Sequence, residues 1–198
     1  MPLNKPNRRV VIAGGVAAFL PLRAFGLTEP AATAFVERVI DDFFAIINLN
    51  QSEAQMLRSF EQVFTPYADV DIIARSVLGP PYRQLTTSQK SAFSNAFGHY
   101  LSNKYGRQFR EYRGADITIT RVQNAGSKGF LVSSQMRVSG QSPWSLDWQI
   151  SDRSGRTKII NLIIEGISLL TSEREEIRAL LEARRGNVTE LTNYLASV

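Results

Sequence analysis

Few residues of this chain are equipped for covalent chemistry. It has one histidine, His99, and no cysteine. Thiolate nucleophiles, disulfides and thiolate metal sites are therefore absent, and so are most histidine-based ones. A Ser–His–Asp arrangement would have to use His99, which lies beside Phe97 and Tyr100 in an aromatic helical row. A histidine there reads as a helix-surface or core-edge residue. Asp41 and Asp42 are neighbours on a helical pattern, so their carboxylates point apart. Asp71 heads a helix, where the dipole favours an acid. Asp147 alternates with Leu146 and Trp148 and points away from the tryptophan face. Glu165 closes the most apolar strand and is the best candidate for a general acid or base, able to isomerise or hydrate a small substrate in a pocket. No P-loop, dinucleotide fingerprint or Gly-x-Ser-x-Gly elbow occurs.

The elements that would position these residues follow from period and punctuation. Thr28-Glu29-Pro30 starts a helix whose wide apolar face runs from Phe35 to Ile47. Ser52-Glu53-Ala54-Gln55 is a capping box for a second helix, with Leu57, Phe60, Val63 and Phe64 inward and a stop near Pro66. A short helix over Val70–Leu78 ends at Gly79-Pro80-Pro81. Thr86-Thr87-Ser88-Gln89 caps the longest helix, in which Phe93, Phe97, Leu101, Tyr105 and Phe109 recur every fourth residue. The period then becomes two. Strands are predicted over 115–123, 128–139, 143–151 and 159–164, the last apolar on both faces except at Asn161. Ser172-Glu173-Arg174-Glu175 opens a helix with Ile177, Leu180 and Leu181 inward, and Asn187 starts a last short one. Short connections make the sheet antiparallel. The chain is predicted to be α+β: a curved antiparallel sheet of about four strands packed against N-terminal and C-terminal helices, in one domain over residues 27–198.

The first residues read as an address. Arg8-Arg9 precede the uncharged apolar run Val10–Leu22, which is shorter than the roughly 20 residues a membrane-crossing helix needs. Residues 1–26 are expected to be a cleaved export signal of the twin-arginine type. They also hold most of the excess charge: Lys5, Arg8, Arg9 and Arg23 are four of the +5, leaving +1 for the rest. A nearly neutral body lacks the basic footprint of a nucleic-acid binder. A hydrophobic fraction of 43% is ordinary for a globular domain.

Two stretches carry a resemblance. One runs from Val70-Asp71-Ile72-Ile73-Ala74-Arg75-Ser76-Val77-Leu78-Gly79 through Tyr82-Arg83, Thr87-Ser88-Gln89-Lys90, Phe93, Phe97 and Tyr105. The other comprises Leu146-Asp147-Trp148-Gln149-Ile150, Ile159–Ile164, Glu165-Gly166-Ile167-Ser168-Leu169 and Arg185-Gly186-Asn187-Val188-Thr189-Glu190-Leu191. In order and spacing they resemble the MlaC family, also called the toluene-tolerance auxiliary family. Thr157 stands where that family often has tryptophan, and Asn161 where it often has aspartate. The resemblance implies an exported, periplasmic protein that does no covalent chemistry and needs no cofactor or metal. It implies a carrier of phospholipid between an outer-membrane lipoprotein complex and an inner-membrane ABC transporter, with the lipid tails in a deep pocket between sheet and helices. Relatives near hopanoid genes make a carrier of another membrane lipid the alternative; a pocket enzyme using Glu165 and a structural envelope adaptor are the others.

The magnitudes suit such a carrier, because two acyl chains of roughly 28 methylenes gain about 20 kcal/mol gross on leaving water. The expected pocket residues are Val77, Tyr82, Phe97, Leu101 and Tyr105 from the helices, with Phe130, Val132, Met136, Val138, Trp144, Leu146, Trp148 and Ile150 from the strands. Arg75, Arg83 and Lys104 are candidates for phosphate at the mouth, although solvation at the surface is the plainer role for each. A head group left in water would give weak selectivity among lipids.

Overall fold

A computed structural model describes residues 26–198. The segment read as an export signal lies outside the described residues, apart from Gly26. Six α-helices and five strands follow in the order α1 (Glu29–Ile47), α2 (Glu53–Tyr67), α3 (Val70–Leu78), α4 (Thr87–Phe109), β1 (Asp116–Asn124), β2 (Phe130–Arg137), β3 (Trp144–Ser151), β4 (Lys158–Ile164), β5 (Ile167–Ser168), α5 (Leu169–Glu182) and α6 (Val188–Leu195). The chain is α+β, as the change of period predicts.

Local chemistry sets the helix starts. Ser52 and Gln55 form the reciprocal capping box of α2, and Thr86 and Gln89 make the equivalent bonds ahead of α4. Asp69 caps α3 through Ile72 N–H at 3.2 Å. Pro66 sits inside the last turn of α2 rather than beyond it. A single 3₁₀ turn, Pro80–Gln84, joins α3 to the loop before α4. The start of α5 differs from the sequence reading. Its cap is Ser168, which accepts from Thr171 N–H, so Ser172 lies within the helix and bonds back to Ser168 O. The tight β4–β5 turn at Glu165-Gly166 delivers the chain to that cap early, both residues having φ > 0.

The sheet is an antiparallel meander in the order β1-β2-β3-β4-β5. Directly paired residues share a face. Ile117 pairs with Met136, Val122 with Val132, Val132 with Trp148, and Trp148 with Leu162. This apolar face meets the helices, while Gln135, Asp147 and Gln149 lie on the other, as expected of an antiparallel sheet covered on one side. A register shift at Gln149/Ile150 pairs Ile150 with Ile159 and leaves Ile160 as the extra residue of a bulge in β4. The unbroken apolar look of β4 comes partly from that bulge: consecutive Ile159 and Ile160 both reach the same internal wall. At Gly129, with φ 85°, a Cβ would stand 2.0 Å from Ile150 O, so only glycine permits the backbone approach that starts β2.

The core has two parts. In one, α1 and Phe60 of α2 lie on the sheet, burying Val36, Val39, Val132 and Ile150 completely. In the other, α3, α4, α5 and α6 bury Phe93, Phe97, Ile177, Leu191 and Leu195 among themselves. Phe64 and Tyr105 touch both. The two parts meet where α2 and α4 approach closely at Gly106, whose missing Cβ would stand 2.9 Å from a Leu57 methyl.

Candidate functional site

The seam between the two core parts is not filled. It holds a cavity of about 160 Å³. Phe43, Phe60 and Phe64 come to it from α1 and α2, Ala68 and Ile73 from the start of α3, and Leu101, Tyr105 and Tyr112 from α4 and the turn after it. Trp148 supplies one strand wall, Ile159, Ile160, Leu162 and Ile164 the other, and Leu169, Leu170 and Glu173 of α5 close the end. Nearly all of that lining is hydrocarbon and aromatic ring. Apolar cavities of comparable size accept apolar guests.

Three of the residues expected at a pocket, Leu101, Tyr105 and Trp148, lie on this wall. Val77 and Phe97 are buried in the helical part of the core, and Tyr82 is half-buried against it. Phe130, Val132, Met136, Leu146 and Ile150 are buried in the sheet-side part of the core, while Val138 and Trp144 are half-buried around them. Trp144 packs edge-on against Tyr112 at 5.3 Å between centroids. The other wall residues come from α1, α2, the start of α3, the end of α4 with the turn after it, β4 and α5. The inner face of α2 was legible as core, with nothing to show that it borders a hollow. Glu173 stands in a capping-box pattern, which reads as a solvated helix start.

The polar groups at the site are tightly arranged. Trp148 Nε1–H donates to Ser134 Oγ at 2.9 Å, and that hydroxyl donates to Leu146 O at 3.1 Å, so the buried indole is satisfied. Glu173, 2% exposed, receives Lys104 Nζ at 2.7 Å and Tyr105 Oη at 2.5 Å. The same ammonium donates to Glu176 at 2.5 Å and to Tyr100 Oη at 3.1 Å, and Tyr100 donates to Glu176 at 2.5 Å. Burial, reinforced by the bond to Glu173, pushes the Tyr105 hydroxyl far above the usual phenol range. Burial alone would lower the Lys104 ammonium, but its bonds to Glu173, Glu176 and Tyr100 prevail and raise it. Glu176 is the mirror case: partial burial raises its carboxyl, and the Lys104 and Tyr100 bonds outweigh that and lower it. With three acceptors already held, Lys104 has no free donor for a phosphate. Arg75 and Arg83 are exposed and do not border the cavity.

Glu165 does not reach the cavity. It sits in the β4–β5 turn at φ 49°, fully exposed, and its carboxylate accepts from Ser145 N–H, which holds it ionised below the usual range. His99 bonds Glu61 and Asn103 on the surface of α4. A larger depression of about 490 Å³ near His99 is polar and open, edged by Glu61, Asp71, Arg156 and Lys158. Among the described residues no group of histidine and carboxylate side chains is placed to hold a metal ion, and no helix is long and apolar enough to cross a membrane.

A one-sided sheet, a helical layer over it and a hydrocarbon-lined hollow between them define an α+β domain with an internal apolar cavity. The family model described as MlaC protein matches residues 37–197, and the chain belongs to the MlaC family. It is 23% identical over 164 residues to the Haemophilus influenzae protein named intermembrane phospholipid transport system binding protein MlaC, covering 78% of this chain and 76% of that one. To the toluene tolerance protein ttg2D of Pseudomonas putida it is 23% identical over 135 residues, 68% of this chain and 62% of the relative. In fold it is similar to the solved structure of a phospholipid-binding protein from Ralstonia solanacearum in complex with a phospholipid, with a TM-score of 0.71 and 20% identity over 84% of this chain and 95% of that one.

Proposed function

We propose that this protein is a periplasmic carrier of phospholipid, moving lipid between an outer-membrane complex and an inner-membrane ABC transporter after loss of residues 1–26 as an export signal. The observation that carries the reading is the apolar cavity at the seam of the two core parts. The family, the names of the relatives and the phospholipid held by a protein of the same fold support it. The cavity holds about 160 Å³, whereas pockets for sizeable ligands occupy roughly 300–1,000 Å³. Two acyl chains must therefore widen it. The seam is the place for that, because it runs between two separately packed core parts, with Phe64 and Tyr105 against both. Each methylene admitted gains about 0.8 kcal/mol over water, so hydrocarbon can do the opening without nucleotide. Glu165, exposed and committed to a turn, is assigned a structural role.

Native mass spectrometry of the purified protein tests the reading. A diacyl phospholipid bound one to one is the expected result. A triterpenoid in its place would support the hopanoid alternative, and a protein that neither holds lipid nor takes it up from vesicles would end the carrier reading.

A further inference from the structure

The backbone nitrogen of Leu27 donates to Asp152 Oδ2 at 2.8 Å, although the two residues are 125 positions apart. The bond ties the segment before α1 to the turn after β3. The Leu27 side chain is half-buried against the sheet-side part of the core. Thr28, the next residue, caps α1 through Ala31 N–H. Gly26, one residue earlier, is exposed and has open space where a Cβ would stand. Of these two neighbours, Leu27 is the one the body of the protein holds. No described lysine or arginine pairs with the Asp152 carboxylate. Arg153, beside it in the chain, donates instead to Ser127 O at 3.2 Å. In the sequence, Ala24 and Gly26 stand third and first before the Gly26–Leu27 bond, the pattern of small residues found at signal cleavage sites.

We infer that export processing cuts between Gly26 and Leu27, and that Asp152 is the receptor for the α-ammonium group so created. The inference rests on the export reading and goes beyond it, naming the bond that is cut and the residue that holds the new terminus. Hydrolysis breaks the C–N bond between the two residues. The oxygen of one water joins the Gly26 carbonyl carbon, and the Leu27 nitrogen leaves as an amine that is protonated near neutral pH. A neutral N–H at Asp152 thereby becomes an ammonium facing the same oxygen, and a charge-assisted bond is roughly twice as strong as a neutral one. The ammonium also stands just outside the N-terminus of α1, where the helix dipole disfavours positive charge. A carboxylate within hydrogen-bond distance offsets that penalty. A cut before Gly26 leaves Asp152 with an amide, and a cut after Leu27 removes its partner.

The test has two parts. The full chain is expressed in a bacterium with a twin-arginine pathway, and the exported protein is sequenced from its N-terminus. Leu27 is expected as the first residue. A different first residue overturns the inference and leaves the export reading standing. No export, or an intact Met1 on the exported protein, overturns both. Chains spanning 27–198 and 24–198 are then compared by urea denaturation, each with and without Asp152→Asn. The substitution should lower the folded-to-unfolded ratio of 27–198 at least about threefold more than that of 24–198, because it removes a charged bond from one and a neutral bond from the other. A smaller difference overturns the receptor role. Where Asp152→Asn does not fold, the two unsubstituted chains decide: 27–198 should be the more stable by at least about the same threefold factor, and a smaller advantage overturns the role.

Discussion

Lys104→Met isolates the charge chemistry of the α4–α5 contact. Lys104 Nζ stands 2.7 Å from Glu173 Oε1. At an effective dielectric constant of about 20, that separation gives about 332/(20 × 2.7), or 6 kcal/mol, of gross attraction. Desolvation offsets much of it in the intact pair, but removing one partner leaves the other buried and uncompensated, at a typical cost of 3–5 kcal/mol. Lys104→Met is therefore expected to lose about 3–5 kcal/mol. Lys104→Met/Glu173→Met, which removes both charges, should recover most of the loss. Urea denaturation of the three proteins near pH 7 measures this. A loss under about 1 kcal/mol, or a double variant worse than the single one, would refute the reasoning.

Other expectations come from the same coordinates. Gly129→Ala places a methyl against Ile150 O at a positive φ, and chemical denaturation should show a loss of at least about 2 kcal/mol, or no folded protein. Leu162→Trp narrows the cavity from the β4 wall; lipid loading by native mass spectrometry should fall at least about tenfold, while stability moves by no more than about 1–3 kcal/mol. Because the folded state depresses Glu176, this residue adds stability above the unfolded carboxyl range that is lost as pH falls through and below it. Glu176→Gln should therefore lower stability near neutrality and flatten the decline between roughly pH 5 and pH 3. An acid limb as steep as that of wild type would count against the assigned contacts.

Much of this molecule is written in short-range signals. The capping boxes at Ser52 and Thr86 and the change of period after α4 place the helices and four of the strands within a few residues. The start of α5 misleads because Ser172-Glu173-Arg174-Glu175 imitates a cap, whereas the true cap is fixed by the β4–β5 turn and by Asn161, which binds Ser168 and Leu170 N–H. Asn161 accepts bonds that anchor α5 to β4. Cavity and solid core are harder to separate in the sequence. Val132, Ile150 and Trp148 share one sheet face and one alternation, yet the first two are wholly buried and the third borders the hollow. Which of them does so depends on packing between distant parts of the chain. Glu173 escapes for the same reason: its burial comes from α4, almost 70 residues earlier.

The central claim is that hydrocarbon occupies the seam cavity, and Trp148 can report it. The protein has two tryptophans, and Trp144→Phe leaves Trp148 alone on the cavity wall. Protein loaded with phospholipid carrying brominated acyl chains should show strongly quenched Trp148 emission relative to protein loaded with the unbrominated lipid. Equal emission from the two, with lipid demonstrably bound, would place the chains elsewhere and contradict the claim.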